Sequence, residues 1–192
     1  EQAADDLPAD APVRLSPQHQ FTEWNQLADL RDTAREAQAE GLMLKRADSP
    51  YLSGRKKGDW WKWKLDPLTI DAVMIYAQSG SGRRANLFTD FTFAVWNGND
   101  LVPFTKAYSG LTDAEFRSIT AWVRKNTLQR FGPVRQVTPH HVFEIAFEGI
   151  QPSPRHKSGV AMRFPRISRI RWDKPSNEAD RRETLEAMIG DR

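Results

Sequence analysis

The stretch WWKWK, Trp60 to Lys64, places two lysines two residues apart. In a strand successive side chains alternate faces, so Lys62 and Lys64 project from one face while Trp61, Trp63 and Leu65 project from the other. Two ammonium groups at that spacing can grip a single phosphate. Upstream, Glu40 precedes Gly41 where a helical pattern gives way to an extended one, and the glycine permits close approach of a ligand. Mg²⁺ is commonly held by one or two carboxylates together with substrate phosphates and water, so one Glu beside two lysines makes a half-site for metal and polyphosphate. Near the far end, RFPRISRIRWDK interleaves Arg163, Arg166, Arg169, Arg171 and Lys174 with Phe164, Ile167, Ile170 and Trp172. Cations this dense on a strand suggest phosphate contact.

Each feature also has a plain reading. Glu40 taken alone is a solvated helix end, and an amphipathic strand that buries its Trp face leaves its Lys face in water by default. Period 2 puts Arg163, Ile167, Arg169, Arg171 and Asp173 on one side, so Arg171 and Asp173 either point together at a ligand or pair with each other. The Gly-rich SGSGRR, Ser79 to Arg84, lacks the Lys-Ser/Thr ending of a P-loop and reads as a hairpin loop whose Arg83 and Arg84 touch a backbone. His19, His140, His141 and His156 have no metal-ligand spacing and read as surface or packing residues.

The elements that must position these residues fall into two parts. Apolar residues at Trp24, Leu27, Leu30, Ala34 and Ala37 predict an amphipathic helix over Thr22 to Ala39, with Thr22 as N-cap and Gly41 as the stop. Leu42 to Lys45 and Trp60 to Leu65 are expected as strands around a basic loop, Arg46 to Asp59. From Leu68 the pattern turns to β segments: Thr69 to Gln78, Asp90 to Trp96 and Leu101 to Tyr108, the last two joined by the turn NGND. Thr112-Asp113-Ala114-Glu115 is a capping box opening a helix with Phe116, Ile119 and Val123 on one side. Strands at His141 to Glu148 and Val160 to Trp172 complete five, and five strands with a helix after the third match the partly open barrel called an OB-fold, a frequent nucleic-acid binder. Ser176 is expected to cap a last helix presenting Leu185, Met188 and Ile189 before Gly190, docked back on the barrel. The fold class is thus an α+β fragment over 1–66 followed by an all-β OB barrel with an inserted and a C-terminal helix over 67–192.

Composition bounds the function. An apolar fraction of 39% supports globular packing in 192 residues, and the absence of cysteine removes disulfides, thiolate metal sites and a cysteine nucleophile. No apolar run approaches the roughly 20 residues of a membrane helix, and EQAADDLPAD has no signal-peptide pattern, so a soluble, intracellular protein is expected. Residues 1–40 hold 9 acids and 3 bases whereas residues 41–192 hold 16 acids and 25 bases. The basic part carries every motif and is compatible with a polyanion such as DNA or RNA, a solvated basic surface being the alternative.

In order and spacing, EGLMLK, WWKWK and RFPRISRIRWDK resemble the fourth, fifth and sixth nucleotidyltransferase motifs of ATP-dependent DNA ligases. SPYLSGRKKGDWWKWKLDPLTIDAV and RHKSGVAMRFPRISRIRWDKP are similar to the bacterial stand-alone enzymes, from about Leu15 onward. RNA ligases and capping enzymes share the lysine pair and the Glu but rarely the RFPR and RxDK ending. The resemblance implies that Glu40 helps bind Mg²⁺ (or Mn²⁺), and that Lys62 and Lys64 contact the α-phosphate of ATP and then of the adenylate. It further implies that Arg171, Asp173 and Lys174 orient the departing pyrophosphate when a mobile OB domain closes about a hinge at Leu65 to Pro67. Lys45 and Arg163 join the expected ATP contacts, and Arg55, Arg83, Arg84 and Arg166 the expected DNA contacts. The expected substrate is nicked double-stranded DNA, and the expected setting a monomer in the bacterial cytoplasm with no membrane partner.

One part of the family pattern is missing. Such ligases attack ATP with the lysine of a Lys-x-Asp-Gly motif, forming lysyl-AMP. The chain contains no Asp-Gly pair, and the Asp residues following Lys45, Lys57 and Lys64 do not complete that motif. The acidic opening, a linker in character, agrees with the C-terminal part of a ligase whose N-terminal part is a separate requirement, and the isolated chain is not expected to adenylate itself. A free OB module that holds DNA without catalysis is the rival reading, and an RNA ligase or capping nucleotidyltransferase is the third.

Overall fold

A computed structural model describes residue 12 and residues 16–37 and 39–189. The acidic opening decapeptide and Gly190 lie outside the described residues. The chain divides into two compact units, Glu1–Leu65 and Asp66–Arg192.

The first unit is built from helix α1 (Trp24–Asp32) and the antiparallel pair β1 (Gly41–Lys45) and β2 (Trp60–Lys64). The helix starts at Glu23, not Thr22, because the side-chain oxygen of Gln26 accepts the amide hydrogens of both Thr22 and Glu23, at 2.9 and 3.5 Å. It also stops seven residues short of the expected Ala39. The Thr33 hydroxyl donates to the Leu30 carbonyl at 3.0 Å, giving the backbone a local alternative to the helical ladder. Leu27 and Ala34 are buried as the spacing predicts, whereas Trp24 is exposed.

The second unit is a curled sheet in the order β11-β8-β3-β4-β5, formed by β3 (Leu68–Ser79), β4 (Phe88–Asn97), β5 (Asp100–Ala107), β8 (Val142–Phe147) and β11 (Arg166–Arg171). The long β3 carries the curvature. Its first half pairs with β8 and its second half with β7 (Val134–Val137), while β4 runs along its other edge. Near the other end of the sheet Ile167 N–H donates to the Ser109 carbonyl at 2.9 Å, joining the segment after β5 to β11. Gly110 permits this closure: a Cβ there would collide with the Ile167 carbonyl.

Helix α2 (Asp113–Lys125) follows β5, with the Thr112–Glu115 capping box formed in both directions. It buries Phe116, Ile119, Thr120 and Val123 in a core where Phe91 stacks on Phe116 and Phe143 at centroid distances of 6.3 and 6.2 Å. A five-strand count is too low. β6 (Thr127–Phe131) and β7 form a further hairpin, and β9 (Gly149–Pro152) pairs with β10 (Val160–Arg163). The stretch expected as one strand, Val160 to Trp172, is therefore two, broken where Phe164 adopts a φ of 51° and Pro165 has no N–H to give a ladder. At the C-terminus Ser176 lies in a 3₁₀ turn, Ser176–Glu178, and helix α3 (Arg182–Ala187) begins after Arg181 instead. Leu185 is fully buried, and Met188 and Ile189 pack on the main core, so the tail docks on the barrel.

Candidate functional site

In the first unit the β1–β2 register sets Gly41 opposite Lys64, Met43 opposite Lys62 and Lys45 opposite Trp60. Residues directly opposite share a face, so Lys45, Lys62 and Lys64 line one side of this small sheet. Glu40 reaches the same end: its Oε2 lies 3.0 Å from Lys64 Nζ, and its carbonyl accepts from Leu65 N–H at 2.9 Å. Gly41 has a different reason from the one expected. Its φ is 136°, and a Cβ would strike the Trp63 carbonyl, so the close approach it permits is that of β2 itself.

Trp60 shares the lysine face without lying in open water. Lys45 Nζ stands 4.3 Å above its ring, Tyr51 packs edge-on at 5.7 Å, and its indole N–H donates to Ser49 Oγ at 3.1 Å. Lys45 therefore serves Trp60, at the end of the sheet remote from Glu40. Lys62 is exposed between the two ends. The opposite face is not the buried Trp face that alternation alone suggests: Trp61 is 50% exposed, while Trp63 is covered by Arg31, whose Nε donates to the Lys64 carbonyl at 2.9 Å. Arg55 lies exposed in the loop between the strands.

In the second unit a row of charges crosses the sheet. Asp71 on β3, Glu144 on β8 and Arg169 on β11 are in mutual register. Arg169 donates to Glu144 Oε2 from Nη2 at 2.8 Å and from Nε at 3.1 Å, and this contact holds the Glu144 carboxyl below its usual range. Two residues beyond Arg169, Arg171 reaches Asp71 Oδ2 through Nη1 at 2.7 Å, and Lys174 Nζ reaches the same oxygen at 2.7 Å. Lys174 is brought back by a turn in which its N–H donates to the Arg171 carbonyl at 3.2 Å. The other edge of the Arg171 guanidinium, Nε and Nη2, grips Asp173 at 3.0 and 2.8 Å. That grip lowers the Asp173 carboxyl to about 2 and raises Arg171 above the usual arginine value. Arg171 and Asp173 thus pair with each other, the alternative left open by their spacing.

Strict alternation fails along β11. The register shifts between Ile167 and Arg169, and Ile167 and Ile170 are both buried, so Ile167 does not share a side with Arg169 and Arg171. Arg163 ends β10 with its guanidinium 5.3 Å from the Phe164 ring, and Arg166 pairs with Glu148 at 3.1 Å. Between them Phe164 is 65% exposed in a left-handed backbone conformation that a side chain rarely adopts. Arg83 and Arg84 lie in the 3₁₀ turn joining β3 to β4, with Arg84 3.3 Å from Asp113 at the start of α2. Asp71 escaped sequence reasoning although it had a signal, since an acid inside the apolar run LTIDAVMIYA must find a cation when buried. His141, read as a surface or packing residue, packs: Trp122, His140 and Trp172 surround it at 4.4 to 5.2 Å, and burial followed by the neighbouring His140 lowers it to about 4. Among the described residues no group of three or more His, Cys, Asp or Glu could hold a metal; the Glu40 carboxylate fits Mg²⁺ in company with substrate phosphates and water.

The curled barrel with one helix inserted after β5 is an OB-fold. Its likeness to the crystal structure of the ligase domain from M. tuberculosis LigD, with a TM-score of 0.52 and 21% identity across 80% of this chain and 51% of that one, concerns the fold. Residues 7–64 match the family described as ATP dependent DNA ligase domain, and residues 84–174 the ATP dependent DNA ligase C terminal region. A probable DNA ligase of Koribacter versatilis is 43% identical over 176 residues, or 92% of this chain and 31% of that protein. One of Opitutus terrae is 45% identical over 150 residues, or 77% of this chain and 15% of that protein. The chain belongs to the ATP-dependent DNA ligase family and corresponds to its C-terminal region. It spans about a third or less of the length of these two relatives.

Proposed function

We propose that the chain works as part of an ATP-dependent DNA ligase that seals nicks in duplex DNA through lysyl-AMP and DNA-adenylate intermediates. The observation that carries this reading is the shared face of Lys62 and Lys64 with Glu40 against Lys64 at 3.0 Å. Cations held in place on a rigid strand stabilise charge on a transferring phosphoryl group without reorganising during the step. In this assignment Lys62 and Lys64 contact the α-phosphate, and Arg171, Asp173 and Lys174 orient the pyrophosphate. Lys45 and Arg163 are further ATP contacts, and Glu40 would hold Mg²⁺ or Mn²⁺, whose charge lowers repulsion among the phosphates when bound. Arg55, Arg83, Arg84 and Arg166 contact the DNA backbone. The hinge at Leu65 to Pro67, the division at residue 66, a monomeric state and a bacterial cytoplasmic setting belong to the same proposal. No helix among the described residues is long and apolar enough to cross a membrane.

The 192-residue chain has no Lys-x-Asp-Gly, so with radiolabelled ATP and Mg²⁺ it is expected to yield no acid-stable protein-bound AMP. A labelled band on the isolated chain would overturn this division of labour. A second reading, an OB module that binds DNA without catalysis, is favoured by one observation: Arg171 and Lys174 are engaged by Asp71 and Asp173. Wild-type sealing by ligases carrying Lys62→Ala and Lys64→Ala would remove the role assigned to the two lysines.

A further inference from the structure

The two carboxylates that hold Arg171 differ in kind. The Asp71 side chain is 10% exposed and stands on β3 between Ile70 and Ala72, both buried. Its backbone is tied to the C-terminal segment in both directions: Asp71 N–H donates to Asp180 Oδ2 at 2.8 Å, and Asp180 N–H donates to the Asp71 carbonyl at 2.9 Å. Asp173, in contrast, has a side chain 68% exposed on the turn that follows β11. Breaking a buried ion pair strands a charge in low dielectric, whereas an exposed pair exchanges with water and solute anions at little cost.

Arg171 presents different edges to the two acids. Nη1 points inward to Asp71, while the Nε–Nη2 edge, the fork that suits a two-oxygen anion, is occupied by both oxygens of Asp173. A phosphate offers the same pair of acceptors. Lys174 shares Asp71 Oδ2 with Arg171, so one buried oxygen sets the position of two cations contributed by a distant stretch of sequence. Neutral Asn in place of Asp71 would keep one acceptor but lose the charge that holds two cations side by side.

We propose that Asp71 is a positioning residue for polyphosphate: it anchors Arg171 and Lys174 as a preset pair, and Asp173 is the exchangeable partner that a phosphate of the substrate displaces from the Arg171 fork. This inference rests on the proposed role of Arg171 and Lys174 at the triphosphate. It requires that loss of Asp71 be felt through Arg171 and chiefly in the step that uses triphosphate.

The test is a double-mutant cycle in the ligase that carries this chain, comparing Asp71→Asn, Arg171→Gln and the double variant. Two rates are read, self-adenylation at varied ATP and sealing of a pre-adenylated nick. Asp71→Asn is expected to slow self-adenylation at least tenfold, to reduce sealing of the pre-adenylated nick by a clearly smaller factor, and to cost clearly less on top of Arg171→Gln than alone, what remains being its hold on Lys174. The double variant removes charges of both signs and keeps the cycle informative if Asp71→Asn alone folds poorly. Losses that multiply, or that are equal in the two steps, would make Asp71 a structural residue and overturn the inference. Arg171→Gln impaired beside a fully active Asp71→Asn overturns the role of Asp71 alone. Arg171→Gln with wild-type self-adenylation instead overturns the triphosphate reading beneath it.

Discussion

Glu40 and Lys64 close one end of the β1–β2 sheet with a 3.0 Å contact between Oε2 and Nζ. Separate assignments of Glu40 to metal and Lys64 to phosphate thus meet at one place. A lysine that alternates between a carboxylate and a phosphate is held near its working position before substrate arrives. In the ligase carrying this chain, Lys64→Ala is expected to lower nick sealing at least 100-fold, about 3 kcal/mol of transition-state stabilisation. Glu40→Gln should change the thermal stability of the 192-residue chain by less than about 1 kcal/mol, because the pair is partly exposed. Sealing assays and melting curves on the same variants check both statements.

Gly41→Ala tests the backbone beneath that pair. The φ of 136° and the collision of a Cβ with the Trp63 carbonyl require either strain or a local opening of the two strands. The expected cost is about 2 kcal/mol or more, read as faster amide exchange in β1 and β2 with the barrel amides unaltered.

The Trp122–His140–His141–Trp172 cluster predicts a pH dependence. With His141 near 4 when folded and near the ordinary histidine value of 6.5 when unfolded, the unfolded chain binds a proton between those values that the folded chain refuses. The stability held above pH 6.5 is therefore lost progressively as pH falls toward 4, and this contribution levels off below. Melting temperatures of His141→Phe across that range should fall less steeply than those of the wild-type chain; parallel curves would remove His141 as the cause.

Phosphate contacts by Arg55, Arg83, Arg84 and Arg166 should appear in the salt dependence of duplex binding. Each arginine that neutralises a phosphate contributes about 0.9 to the slope of log affinity against log salt, so Ala variants of Arg55 and Arg83 should each flatten the slope by about that amount. An unaltered slope removes that arginine from the DNA surface. Arg84 and Arg166 carry carboxylate partners, Asp113 and Glu148, and should show the smaller changes.

Phe164→Gly separates strain from use. Glycine relieves the left-handed φ of 51° and is expected to leave the 192-residue chain as stable or up to about 1 kcal/mol more stable by thermal melting. A fall in duplex affinity for the same variant would show that the exposed ring is held for contact with DNA.

Features set by neighbours in sequence were legible before any coordinates. The Thr112–Glu115 box, the Phe116-Ile119-Val123 stripe and the alternation of WWKWK follow from backbone periodicities of 3.6 and 2, which operate over a few residues. The ordered motifs Glu40-Gly41, Lys62-x-Lys64 and Arg171-x-Asp173-Lys174 were enough to place the chain in its family. The β6–β7 hairpin and β9 lie outside every expected strand, because short strands with exposed residues carry little periodic signal. The bulge between Ile167 and Arg169 was equally hidden, since a single inserted residue reverses the faces of everything beyond it.

Charge, short-range periodicity and family membership are thus legible along the chain. The partner of each charge depends on the fold. Asp71 meets Arg171 across 100 positions and Lys174 across 103, and Gly41 owes its identity to the carbonyl of Trp63 on the facing strand. Such pairings follow from strand order and register, which the burial of a common core sets for all the strands at once.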